Sequence, residues 1–513
     1  MNKIIMKYGL WIAMFIMASC SDFLEPKSQS EYVPKLVKSL DELLLGEVYM
    51  GPGYSDGRLY GVLGLFDDDV SVRPDWQTSS TEESKVNKLR LAYTWSKYMK
   101  DDFGGYNTYG EVYKKILGCN SVLDYIDEVQ GSEEEKSRVM AQALGLRGYF
   151  YFHLINLYGK PYFAGKDTPG VPLKLTADLG EDGMPRNSVG EVYGQIVKDL
   201  LEAERLFKTL PDEEWGTQKQ KIRMNLPCVQ LLLSRVYLYM ENWEQALAYG
   251  EKVTGEYNYG VKDLNEVPQP AFWMTPYMEY YRWDNPEIIF LFGNQGDVLD
   301  LPMTMIHYSG DKGYTTYYPM VASDDLINSY VPADLRKERY LMAIYENYAP
   351  TRFKRATSKF KSTDLLDIEV SWSAGKWGVG FKVTEAYLNA AEAAAMLYKE
   401  TGKGEFQIKA QTLLDKLRVK RFAPAAFEET DIAEADGLVD FVRAERRREL
   451  CFENHRWFDL RRYGMEEIRH VWRDGLGNET EYVLEKNDPG FTLQLPKEAF
   501  VYNPSLVQNE ERK

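Results

Sequence analysis

Apolar residues recur at three- and four-residue steps through much of this chain, and the recurrences come in pairs. The clearest pair runs from Leu231 to Tyr257. Leu233, Val236, Tyr237 and Met240 share one helical face, Asn242 reads as a cap, and Trp243, Ala246, Leu247 and Val253 repeat the spacing. Ala246 and Ala248 are small enough to let two helices approach closely. A second pair spans Val383–Arg418 and turns at Gly402-Lys403-Gly404. A third joins Arg138–Tyr158 to Val189–Phe207 across a Pro- and Gly-bearing insertion. A first joins Ser39–Tyr49 to Tyr109–Val129. The pattern predicts a mainly α chain with helix pairs over 39–49/109–129, 138–158/189–207, 226–240/243–257 and 381–399/405–419, all within one domain over 39–513.

Two stretches, 50–105 and 259–380, break this rhythm. They carry Gly, Pro and polar residues with short apolar runs. Glu287–Phe292 reads as a strand, and Asp324-Asp325 as the start of a helix. Six tryptophans fall here: Trp76, Trp95, Trp273, Trp283, Trp372 and Trp377. Loops have fewer packing reasons than helices to hold large aromatics, and loops on a rigid scaffold are where ligand contacts usually sit. The 231–257 hairpin, with tyrosine late in its first helix and alanine early in its second, resembles a tetratricopeptide repeat. The long insertions depart from a plain solenoid.

The stretch Glu445–Gly464, ERRRELCFENHRWFDLRRYG, predicts one continuous helix, free of Pro and β-branched residues and ending at a Gly. Three-residue spacing pairs Arg446 with Glu449, Glu453 with Arg456, Arg456 with Asp459, and Asp459 with Arg462. Trp457 and Arg461 lie four apart, where a guanidinium can stack on an indole. Four acids interrupt seven arginines between Arg443 and Arg462. A phosphate-binding stripe would be one-signed. With Leu450, Phe452, Trp457, Phe458 and Leu460 threaded between the charges, the expectation is a partly buried ionic clamp that organises the fold.

Charge supports that reading. The 513-residue chain has a net charge of −16, or −18 once Lys3 and Lys7 leave with residues 1–19. Such a balance argues against nucleic acid and against anionic lipid as partners. At 44% apolar the chain can bury a large core, and its 37 Tyr and 11 Trp make it rich in aromatics. The N-terminus has the three parts of an export signal: Lys3 and Lys7, an apolar run Tyr8–Ala18 too short to cross a bilayer, and small residues before Cys20. Met17-Ala18-Ser19-Cys20 resembles a bacterial lipoprotein box. The expectation is a signal peptide over 1–19, lipid on the Cys20 thiol, and an extended leader over 20–38. Cys119, Cys228 and Cys451 then remain, an odd number with no metal-ligand spacing, and are expected to be buried free thiols.

Catalytic motifs are scarce. The four histidines, His153, His307, His455 and His470, form no HExxH, and neither GxSxG nor a P-loop is present. His153 lies in the aromatic run YFYFHLINLY and is expected in the core. Asp67-Asp68-Asp69 is the densest acidic cluster: a weak Ca²⁺ candidate without EF-hand spacing, read otherwise as a solvated or capping turn. Aromatics are the better lead, because sugar rings offer flat C–H faces for stacking and a rim of hydroxyls for hydrogen bonds. Trp76, Trp95, Tyr106, Tyr109, Trp273, Trp283, Tyr314, Tyr317 and Tyr318 are the candidate platforms, and Asp75, Asn107 and Arg282 the candidate polar rim.

The Glu445–Gly464 stretch resembles the C-terminal signature of the SusD/RagB family of nutrient-binding outer-membrane lipoproteins, roughly E-R-x-x-E-L-x-x-E-G-x-R-W-x-D-L-x-R, with Asn454 in place of the usual Gly. The block Ala143–Phe163 resembles the family through Leu146, Arg147, Tyr158 and Gly159. The tail does so through Pro496, Glu498, Asn503, Pro504, Leu506, Gln508 and Asn509. The helix Tyr113-Lys114-Lys115-Ile116 with Cys119-Asn120 also matches, Tyr109 standing where relatives often have Trp. The resemblance implies a tetratricopeptide-like scaffold with large insertions, outer-membrane anchoring at the cell surface, and capture of a glycan for a SusC-like TonB-dependent transporter. It implies no catalysis and no cofactor. Peptide or glycoprotein cargo is the nearest alternative. A surface glycoside hydrolase and a scaffold that binds only proteins are more distant ones.

Overall fold

The computed structural model describes residues 34–49, 62–72, 89–101, 108–178, 183–211, 217–267, 282–292, 306–310, 313–317, 320–339, 345–346, 349–350, 379–474 and 477–512. The predicted signal peptide, Cys20 and most of the leader lie outside these residues.

Among the described residues, ten helices carry the architecture. They are α1 (Val37–Leu43), which runs on into a π-helical turn Leu44–Val48, α2 (Thr108–Tyr125), α3 (Glu133–Tyr158), α4 (Val189–Phe207), α5 (Leu226–Tyr239), α6 (Trp243–Gly255), α7 (Val383–Thr401), α8 (Gly404–Arg418), α9 (Ala435–Leu450) and α10 (Arg456–Arg462). From α2 to α8 each helix packs on the next in chain order, and α9 returns onto α7. Local chemistry sets the ends. Ser132 with Glu135 and Ser188 with Glu191 form capping boxes at the starts of α3 and α4. Asn242 caps α6, accepting from the Gln245 amide at 3.3 Å. Gly402 ends α7 at φ +67°, the left-handed conformation that its lack of a Cβ allows.

Close helix approach comes from a residue the pattern did not single out. Ala246 is buried, but Ala248 is exposed. Gly250 faces α7 instead: a Cβ there would lie 2.8 Å from the Ala390 Cβ. One continuous apolar core runs through all these helices, with His153 buried in α3 as expected. Cys119, Cys228 and Cys451 are buried free thiols.

Among the described residues the strands form five two-stranded antiparallel ribbons. They are β1 (Val70–Val72), β2 (Ile288–Phe292), β3 (Ile306–Gly310), β4 (Gly313–Tyr317), β5 (Met320–Ala322), β6 (Tyr345–Glu346), β7 (Ala349–Pro350), β8 (Val379–Lys382), β9 (Ile468–Arg473) and β10 (Glu479–Leu484). The fully buried β2 pairs with β8 at the far end of the second insertion. β1 pairs with β5, so the first insertion is stitched to the second. Ser323, donating its hydroxyl to the Asp68 carbonyl at 2.7 Å, caps the helix Asp324–Ser329.

The arginine-rich stretch is not one helix. α9 stops at Leu450, Phe452 and Asn454 turn through φ +61° and +62°, and α10 begins at Arg456. Left-handed backbone suits Gly and is tolerated by Asn. That is why Asn454 can stand where the signature has Gly. The break re-aims the charges. Asp459 with Arg462 holds at 2.8 Å as expected, but Arg446 takes Asp459 (2.8 Å), Glu453 takes Lys382 (2.6 Å) and Arg456 takes Asp68 (2.6 Å). Trp457 stacks on Phe491, centroids 5.4 Å apart, while Arg461 donates to the Asn156 and Gly159 carbonyls at the end of α3.

Candidate functional site

The clamp fixes the ground on which any site must be built. Arg336, Arg421 and Arg446 are fully buried. Arg336 binds Asp334 (2.7 Å) and Glu445 (2.8 Å); Arg421 binds Glu449 (2.8 Å) and Glu287 (2.7 Å). Arg462 grips Glu392 at 2.6 and 2.7 Å. Burial pushes Glu392 and Glu445 up, yet their arginine partners win and bring both down to about 2. Paired and hydrogen-bonded, these charges are structural rather than available for chemistry.

The acidic triplet belongs to the same network. Arg456 takes Asp68 through two hydrogen bonds of 2.6 and 2.8 Å, and Arg447 takes Asp69 at 2.7 Å. Asp68 is pushed up by burial and pulled down further by Arg456 and Arg447, to about 2. Asp67 is raised, by burial first and then by the neighbouring Asp69 and Asp68 charges. The Ca²⁺ reading of Asp67, Asp68 and Asp69 is therefore corrected, and of the turn reading the capping half holds and the solvated half does not: Asp68 and Asp69 face guanidinium groups, and Asp67 Oδ1 accepts from the Asp69 amide at 3.0 Å in a largely buried turn. Among the described residues no group of three or more His, Cys, Asp or Glu is placed to hold a metal.

A small open cleft lies where the 3₁₀ turn Lys97–Lys100 meets the start of α2 and the C-terminal segment. Tyr109, Tyr158, Lys97, Gln494 and Arg512 are among its walls. Tyr109 is 8% exposed, meets Tyr158 edge-on at 5.2 Å and hydrogen-bonds Tyr113; burial pushes its phenol up to about 12. Lys100 pairs with Glu511 at 2.8 Å, and Arg512 with Asp488 at 3.1 Å. Gln494 differs. Its amide oxygen and nitrogen are both buried, and neither has a hydrogen-bond partner. A buried amide left unpaired costs about 1–3 kcal/mol.

The predicted site residues therefore divide. Trp95 and Tyr109 come together at this cleft, but Trp95 is only 1% exposed. Its indole N–H donates to the Phe66 carbonyl at 2.9 Å, its ring stacks on His470 at 4.2 Å, and the Arg512 guanidinium lies 5.9 Å from its centroid. With its ring covered it is a wall of the cleft, not a stacking platform. Trp283 and Arg282 sit elsewhere and are partly exposed. The Trp283 carbonyl accepts from Lys221 at 2.9 Å, and Arg282 pairs with Asp284. Tyr314 and Tyr317 lie on β4, whose backbone alone is described. Trp76, Tyr106, Trp273, Tyr318, Asp75 and Asn107 lie outside the described residues. Sequence reasoning missed Lys97, Gln494 and Arg512; the alternation Leu493-Gln494-Leu495 was the available signal.

Stacked helix pairs interrupted by long, stitched insertions define the SusD-like class of fold. Residues 22–238 match the family described as "Starch-binding associating with outer membrane", and residues 310–511 match the SusD family. SusD-like protein P25 of Formosa agariphila is 21% identical over 493 residues, covering 88% of each chain. A SusD superfamily protein of Bacteroides thetaiotaomicron superposes with a TM-score of 0.66 at 22% identity, over 92% of this chain and 98% of its own. A laminarin-binding SusD-like protein does so at 0.60 and 18%, over 92% and 96%. The chain belongs to the SusD/RagB family of outer-membrane-associated, carbohydrate-binding proteins. No helix of the described residues is long and apolar enough to cross a membrane.

Proposed function

We propose that this protein is a cell-surface lipoprotein, anchored through Cys20, that captures an oligosaccharide or polysaccharide and hands it to a SusC-like TonB-dependent transporter without cleaving it. The observation that carries this reading is the pair of family matches flanking and entering the aromatic-rich insertions. The ionic clamp supports it, because it ties interior positions of both insertions to a rigid scaffold: Asp68 and Asp69 in the first, Glu287 and Asp334 in the second. Trp76, Tyr106, Trp273, Trp283, Tyr314 and Tyr317 stack on sugar faces, with Asp75, Asn107 and Arg282 on the hydroxyl rim. Several weak stacking contacts along one chain give avidity rather than one deep pocket.

Native electrophoresis in gels containing soluble starch or laminarin tests the reading. Retardation in at least one is expected, with no release of reducing ends on prolonged incubation. Free migration in both, or growth of reducing ends, would overturn it. Expression of Cys20→Ala should move the protein from the membrane to the soluble fraction.

A further inference from the structure

The first insertion has two described limbs, and different devices hold them. The upstream limb, 62–72, is gripped at Asp68 and Asp69 by Arg456 and Arg447 and is paired through β1 with β5. The downstream limb, 89–101, is a short helical stretch over 89–93 followed by the 3₁₀ turn Lys97–Lys100. Among the described residues it takes part in no strand, so its free backbone carbonyls need partners from elsewhere. Those partners come from the β9–β10 ribbon and from 503–512, described residues that form neither helix nor strand.

Three successive carbonyls show the arrangement. That of Tyr93 lies 2.6 Å from a ring nitrogen of His470 on β9. Arg512 donates to the Thr94 carbonyl at 3.1 Å and lies 3.5 Å from that of Trp95. Trp95 sits at φ +49°, left-handed backbone that a bulky side chain keeps only where its surroundings hold it. Arg512 is itself fixed: its Nε pairs with Asp488 at 3.1 Å, and Nη2 donates to the Val483 carbonyl on β10. Both ends of the limb are tied too. Arg90 donates to the Tyr482 hydroxyl at 2.6 Å, Lys100 pairs with Glu511 at 2.8 Å, and Asp101 pairs with Lys497 at 2.6 Å. The segment 503–512 is in turn secured to the scaffold. Asn509 donates to the Tyr158 carbonyl at the end of α3 (2.8 Å), and Arg186 donates to the Val507 carbonyl (2.9 Å).

We infer that Arg512 and Glu511 are positioning residues: with the β9–β10 ribbon they form a clasp that fixes the downstream limb on the helical scaffold and so places the residues that follow it, where Tyr106 and Asn107 are proposed to meet the glycan. The inference rests on the glycan reading above. A limb held in place before the ligand arrives loses less freedom on binding, so the clasp acts on affinity and on local opening more than on global stability.

Arg512→Ala and Glu511→Lys test this, the second at an exposed side chain, with Lys100→Glu/Glu511→Lys as the reversed ion pair. Hydrogen exchange across 89–101 and across α5 and α6 is read by mass spectrometry, beside retardation in gels of soluble starch and of laminarin. Exchange across 89–101 is expected to quicken roughly tenfold in Arg512→Ala and about threefold in Glu511→Lys, with α5 and α6 unchanged. Retention by whichever sugar the unaltered protein binds should weaken in the same order, and the reversed pair should recover both readouts. Unchanged exchange across 89–101 in both single variants would overturn the clasp, whatever the sugar result. Faster exchange with full retention would overturn its role in placing ligand residues. Free migration of the unaltered protein in both gels would overturn the glycan reading, while the exchange result still decides the clasp.

Discussion

Arg456 and Asp68 stand 388 positions apart in the chain and are joined by two charge-assisted hydrogen bonds of 2.6 and 2.8 Å. One comes from the family signature and the other from within the first insertion. Removing one partner strands a largely buried charge. Arg456→Ala is expected to lower unfolding free energy by about 3 kcal/mol in urea titrations, and Arg456→Met with Asp68→Leu by distinctly less. Equal losses in the single and double variants would contradict the pairing.

The same network sets an acid limit. Asp68, Glu392 and Glu445 titrate near 2 when folded, against ordinary values of 3.8 and 4.5. Their folded values are depressed, so the stability they contribute is complete above about pH 4.5 and is lost as pH falls toward 2. His470 acts earlier. Its ring nitrogens lie 2.6 and 2.9 Å from the Tyr93 and Asp67 carbonyls, which favour the charged ring, but burial dominates and brings it down to about 4. The unfolded chain therefore takes that proton first, and stability falls between pH 6.5 and 4. Urea midpoints should show two acid steps, and His470→Gln should flatten the upper one.

Trp457 is 1% exposed and stacked on Phe491. Trp457→Ala is expected to cost about 3–5 kcal/mol and to reduce yield, while the folded fraction keeps its sugar affinity. Selective loss of binding in a fully folded variant would move the signature into the site.

Tyr109 and Trp283 should separate. Tyr109→Ala opens a cavity beside Tyr113 and Tyr158 and is expected to lower the thermal midpoint by several degrees. Trp283→Ala, at a partly exposed position, should weaken sugar binding with the helical circular dichroism signal intact.

At the α6–α7 contact, Gly250→Ala places a methyl 2.8 Å from the Ala390 Cβ and 3.1 Å from the Ala386 carbonyl. About 1–3 kcal/mol of destabilisation is expected, measurable by thermal denaturation. Ala390→Gly should restore part of it.

Helices were readable because their signals are local. The faces of α5 and α6, the Asn242 cap and the Gly402 turn each depend on residues within one or two turns. The arginine partners were not. Three-residue spacing assumes an unbroken helix, and the left-handed turn at Phe452 and Asn454 sent Arg456 and Glu453 to partners far away in the chain. Asn454 itself was the visible clue, since a signature Gly marks a backbone position that most side chains resist. Trp95 misled because loop location was taken to mean display. Its ring is covered by His470, a neighbour 375 positions on that composition cannot reveal.

The clamp also dictates an order of assembly. Its arginines on α9 and α10 close onto Asp68, Asp69 and Glu392, which precede them by dozens to hundreds of residues. Contacts of such separation form late, since the loops they close are long. Helix pairs such as α3 with α4 can fold as they emerge, but Asp68 and Asp69 gain their arginine partners only once α9 and α10 have been made. A chain cut short before α10 leaves Asp68 without Arg456 and Glu392 without Arg462, and is so open to proteolysis: the signature serves as a completeness check on the fold.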